Sequence, residues 1–122
     1  MDASALLALL LGEPGQEKVK SALSDSLISS LNWGEVMQAL LRKQADTSDV
    51  RKTLEALGLK IVPLSAEQAE GAAALWEKGK PYGLSLGDRV CIFLGMDEDN
   101  SVLTADKVWT EAFPELSISL VR

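Results

Sequence analysis

Four carboxylates, Asp2, Glu35, Asp88 and Asp106, fall in or just before the first turn of an expected helix, and Glu35 and Asp106 also follow closely on an expected strand. Carboxylates gathered from converging helix starts supply the hard oxygen ligands that Mg²⁺ and Mn²⁺ prefer. Ions held against a phosphate substrate can activate water for in-line attack on phosphorus. Without a cation the same cluster would repel itself. Each acid also has a plainer explanation. Asp2 reads as an N-cap, Asp106 as another after Thr104-Ala105, Ser85 to Asp88 has capping-box spacing, and Glu35 suits the positive end of a helix dipole. Direction favours the metal reading: the apolar stripe of the helix carrying Glu35 points away from it, and the stripe Leu86, Val90, Phe93 and Leu94 leaves Asp88 outside.

Composition narrows the chemistry further. The chain has no histidine, which removes the commonest general base, the usual zinc ligand and every Ser-His or Cys-His nucleophile system. Its one cysteine, Cys91, lies in the apolar run Val90-Cys91-Ile92-Phe93, where a buried, reduced, intracellular thiol without a catalytic role is expected. A net charge of −6 argues against nucleic acid as a partner if charge is taken alone, but a bound divalent cation reverses that locally. Arg42 and Lys43, about two helical turns beyond Glu35, and Arg89 and Lys107, each beside an acid, are candidate contacts to RNA phosphates, against the plainer reading of solvated charges. Trp33, Trp76 and Trp109 could stack bases, although Trp33 lies on an apolar stripe that suits core or dimer packing.

Helix and strand patterns alternate around these residues. Helices are expected over 3–11 and 15–23, a strand over 26–30, a helix with Trp33, Val36, Met37, Leu40 and Leu41 at helical spacing, and a helix over 47–57. A strand at 59–62, an Ala-rich helix over 65–78 capped by Ser65 and Gln68, and a helix over 85–96 follow. A strand at 101–104, a short helix from Lys107 and a closing strand over 116–121 complete one domain of 122 residues. Strands separated by helices predict a parallel sheet covered on both faces, with ligands bound where strands turn into helices. The apolar run Ala5 to Leu11 is too short to span a membrane and lacks the basic flank of a signal peptide, so a cytoplasmic location is expected.

The segments Asp2 to Leu7, Glu35-Val36 after Ser29-Ser30, Leu84 to Asp88, and Val102 to Trp109 together resemble the PIN domain, and within it the VapC-type toxins. The resemblance covers nearly the whole chain. It implies an α/β/α sandwich with a parallel sheet ordered 3-2-1-4-5, a Mg²⁺- or Mn²⁺-dependent endoribonuclease, a homodimer, and an antitoxin that covers the acidic pocket. It makes Asp2, Glu35, Asp88 and Asp106 the metal-site residues, with Ser4 and Thr104 as hydroxyls lining the same pocket. One departure is visible. The family carries an apolar strand before its first Asp, whereas here Met1 precedes Asp2 directly, so the expectation is either a start downstream of the natural one or an abbreviated strand over residues 1–5. Asp2 should then be tethered only by the helix that follows, with weaker metal binding.

A module that binds RNA or a partner without cutting is the competing expectation, because losing that strand could cost the site its metal. A receiver domain would need a phospho-acceptor Asp within Ile61 to Ser65, and a haloacid-dehalogenase-like phosphatase would need a second Asp where Ser4 stands. Neither aspartate is present, which disfavours both readings.

Overall fold

The alternating pattern folds as an α/β chain in the computed structural model, which describes residues 1–122. Helices α1 (Ala3–Leu10) and α2 (Gln16–Ala22) lead through a 3₁₀ turn to strand β1 (Leu27–Ser29), and α3 (Ser30–Arg42) and α4 (Val50–Ala56) lead to β2 (Lys60–Val62). Then come α5 (Ala66–Ala74), α6 (Trp76–Gly79), a second 3₁₀ turn, α7 (Leu86–Glu98), β3 (Ser101–Thr104), α8 (Val108–Ala112) and β4 (Ser117–Leu120). β1 runs parallel to β2 with Leu27 opposite Lys60, and β3 runs parallel to β4 with Ser101 opposite Ser117.

The single continuous sheet expected from the sequence is not what forms: there are two separate two-stranded sheets. Only Met1 and Asp2 stand between them. The Met1 ammonium donates to the Leu27 carbonyl at 2.7 Å, and the Asp2 N–H donates to the Leu103 carbonyl at 3.2 Å. Helix α1 begins at Ala3, and Met1 and Asp2 form no strand ladder with either neighbour. The abbreviated strand expected over residues 1–5 does not form, yet Met1 and Asp2 touch both sheets. Asp2 is consequently held from β3 as well as from α1, which corrects the expectation that the helix alone tethers it.

Packing explains where other expectations shift. Ala5, Leu6 and Ala8 of α1 share one apolar cluster with Val19, Ile28, Val36 and Leu40, and Trp33 lies against it. A second cluster joins Cys91 and Ile92 of α7 to Val102, Trp109 and Phe113. Trp109 is fully buried and has no face for a base, whereas Trp76 is half exposed. Leu86, expected on the apolar stripe of α7, is 49% exposed because it opens the helix before the stripe meets the core.

The Ala-rich helix expected over 65–78 breaks at Leu75 into α5 and α6. The Ser65–Gln68 capping box at its start forms as expected. At the break, the Arg89 guanidinium donates to the carbonyls of Ala72 and Ala73 at 3.0 and 3.4 Å, adding to the Leu75 N–H that Ala72 accepts there. Arg89 is thus buried structural material, 8% exposed, and as a contact to RNA it is corrected. Gly71 allows α5 to approach α7 this closely, since a Cβ there would stand 2.3 Å from the Phe93 ring.

Candidate active site

Asp2 is 5% exposed and accepts three kinds of donor. Its Oδ1 caps α1 by accepting the Ala5 N–H at 3.0 Å. The Ser4 hydroxyl lies 2.8 and 2.9 Å from its two oxygens, and the Thr104 hydroxyl donates to Oδ2 at 2.8 Å. The same Thr104 oxygen accepts the Asp106 N–H at 3.1 Å, and the Ser4 oxygen accepts the Ala105 N–H at 3.0 Å. One network therefore runs from the start of α1 to the turn after β3, and it includes both hydroxyls expected to line the pocket. Asp106 uses Oδ1 to accept the Val108 N–H at the start of α8.

The other two acids lie on α3 and α7, with Glu35 against Gly87, the residue before Asp88. Because α3 begins at Ser30, Glu35 sits in its second turn and not in its first, so the helix-dipole explanation of Glu35 loses its basis. The Glu35 carboxylate is instead held by Asn32, whose Nδ2 donates to Glu35 Oε1 at 2.7 Å and to the Gly87 carbonyl at 3.0 Å. Gly87 leaves the room for it: a Cβ there would fall 2.6 Å from Glu35 Oε2. The next residue, Asp88, closes the expected capping box, accepting the Ser85 N–H on Oδ2 at 2.9 Å. Hydrogen bonds reach only one oxygen of each of these carboxylates, leaving Glu35 Oε2, Asp88 Oδ1 and Asp106 Oδ2 free of protein donors.

Burial raises Asp2 above the ordinary aspartate value of 3.8, against the opposing pull of the Ala5 N–H, the Thr104 and Ser4 hydroxyls and the chain's amino terminus. Burial also pushes the Cys91 thiol up to about 12, with the charges of Asp2, Asp88 and Glu35 adding to the rise. The thiol is buried, as its apolar run suggests. The four carboxylates are the right donors for a hard cation, and the buried Asn32 Oδ1 has no hydrogen-bond partner. In the arrangement shown, no three of the acids stand within joint reach of one ion.

Beside this network opens a cleft of about 670 Å³ lined by Ser4, Ala105, Asp106, Lys107 and Arg122. Lys107, Arg42 and Lys43 are exposed, as their candidate role requires. Sequence reasoning missed Asn32 and Arg122. The Asn32-x-x-Glu35 spacing puts both side chains on one helix face and could have signalled the first. Nothing local marks Arg122, which only the fold brings to the cleft.

The PIN domain family model matches residues 1–113. The chain belongs to the PIN domain family. This PIN domain is 30% identical over 98 residues to a VapC ribonuclease of Mycobacterium bovis and to ribonuclease VapC42 of two Mycobacterium tuberculosis strains. Each match covers 72% of this chain and 75% of the relative. No solved structure matches it significantly. The span matched by the family model contains all four acids, Asn32 and Thr104 and leaves Arg122 outside. No helix of this PIN domain is long and apolar enough to cross a membrane.

The raised Asp2 has a measurable consequence. The folded state holds its proton more tightly than the unfolded chain, so Asp2 contributes stability that is complete below 3.8 and is lost as pH rises through the folded value. In chelator at neutral pH, Asp2→Asn is expected to melt above wild type, because asparagine keeps the cap to Ala5 without a buried charge. The difference should vanish at acid pH. Equal melting temperatures at pH 7, or a mutant that melts lower there, would show that the hydroxyl bonds fully compensate burial.

Proposed function

We propose that this PIN domain is a Mg²⁺- or Mn²⁺-dependent endoribonuclease, the toxin of a toxin–antitoxin pair, acting in the cytoplasm as a homodimer whose acidic residues an antitoxin covers. Support comes from relatives named as VapC ribonucleases and, within this chain, from one observation above the others. That observation is a buried aspartate, Asp2, held by two hydroxyls and joined through Thr104 to Asp106. Met1 and Asp2, bonded to both sheets, occupy in this reading the central place in the order 3-2-1-4-5, with helices on either face.

The four acids Asp2, Glu35, Asp88 and Asp106 hold the cation. When bound, it supplies an activated water and neutralises charge on the scissile phosphate. The chain's residues do the rest. Ser4 and Thr104 keep Asp2 in place and orient it, Asp106 borders the open cleft, and Lys107 and Arg122 hold flanking phosphates there. Arg42 and Lys43 extend this contact along α3. Glu35 is exposed and Asp88 half-buried, and each keeps one oxygen, Oε2 and Oδ1, free of protein donors and open to an ion.

A module that binds RNA or a partner without cutting is the second reading, favoured by the separation of the acids and the raised Asp2. The deciding assay is cleavage of a mixed-sequence single-stranded RNA with Mn²⁺ and with EDTA. Cleavage that stops in EDTA and returns with Mn²⁺ is expected. Binding without cleavage at any metal concentration would give the second reading first place.

A further inference from the structure

Asn32 stands one turn before Glu35 on α3 and is 1% exposed. Its Nδ2 spends both protons, one on Glu35 Oε1 and one on the Gly87 carbonyl, so a single amide ties the acid to the start of α7. The orientation of that amide is forced, because reversing it would set its oxygen against two other acceptors. Oδ1 of Asn32 is then left buried and unpartnered. The oxygen and nitrogen of one amide are roughly 2.3 Å apart from its bond lengths, so Oδ1 lies within roughly 5 Å of Glu35 Oε1. A buried acceptor without a donor carries its full desolvation cost and survives where structure or function requires the group. Here the group is required by what its other end does: it seats a carboxylate, between amide and helix backbone, beside Asp88.

We propose that Asn32 is a positioning residue of the metal site, fixing the Glu35 carboxylate against α7 so that it meets the cation together with Asp88. This rests on the nuclease reading above. Most carboxylate ligands are themselves hydrogen-bonded, and losing such a partner typically weakens metal affinity about 10–100-fold. Glu35, exposed and on a flexible stem, has no other side-chain partner to hold it.

The test is a Mn²⁺ titration followed by melting temperature, starting in EDTA, for wild type, Asn32→Ala, Glu35→Gln and the double variant. Asn32→Ala should move the Mn²⁺ midpoint about 10–100-fold upward. In the Glu35→Gln background the same change should add nothing, because its effect runs through Glu35, whereas a general loss of structure would add in both backgrounds. Should Asn32→Ala fail to fold, Gly87→Ala serves: alanine is the better helix former, and its Cβ would push Glu35 out of the same seat. It should raise the midpoint alike. A midpoint equal to wild type in Asn32→Ala, or an undiminished effect without Glu35, overturns the inference alone. No response to Mn²⁺ in wild type overturns the metal reading and this inference with it.

Discussion

Asp88→Asn should lower RNA cleavage by more than about 100-fold, beyond the 10–100-fold range usual for groups that merely support a ligand. Asparagine removes the charge while leaving an oxygen to accept the Ser85 N–H that Asp88 Oδ2 now accepts at 2.9 Å. The start of α7 therefore keeps its cap. Losing a negative charge near the helix N-terminus costs about 0.3–1 kcal/mol, and relief of repulsion with Glu35 works in the opposite direction. The folded state in chelator should accordingly change by no more than about 1 kcal/mol, a shift of a few degrees in melting temperature. Cleavage at the wild-type rate would remove Asp88 from the site. Lost cleavage with a melting temperature far below wild type in EDTA would show instead that its part is structural.

Addition of Mn²⁺ or Mg²⁺ to protein stripped with EDTA should raise the wild-type melting temperature and leave Asp88→Asn nearly unmoved. A ligand that binds only the folded state stabilises it by about 2.7 kcal/mol at a concentration 100 times its Kd. For a domain of this size that corresponds to a rise on the order of 10 °C. A flat response in wild type would place this PIN domain among modules that bind without cleaving, and equal rises in both proteins would locate the ion away from Asp88.

Much of the fold was legible because its signals are local. Ser65 with Gln68 and Ser85 with Asp88 both form the capping boxes their spacing announces, and Asp2 caps α1 as expected. The same residues show the limit of local reading. Asp2 and Asp88 are caps and site candidates at once, and spacing by itself cannot separate the roles, since both need a carboxylate at a helix start. Arg89 misled for a related reason. Its place beside Asp88 suggested a substrate contact, but a helix side chain's direction depends on what packs there, and the broken end of α5 supplied two carbonyls to receive it.

Helix periods, strand positions, the absence of histidine chemistry and the four candidate acids follow from the amino-acid sequence, because they depend on residue type and on spacings within a turn or two. Tertiary structure alone decided the rest. It split the sheet into two pairs bridged by Met1 and Asp2, tied Asp2 to Thr104 across 102 positions of chain, set Asn32 between Glu35 and Gly87, and carried Arg122 to the cleft beside Asp106. Those contacts join segments far apart in the chain, and the packing of helices and strands that brings such segments together is not encoded in any one of them.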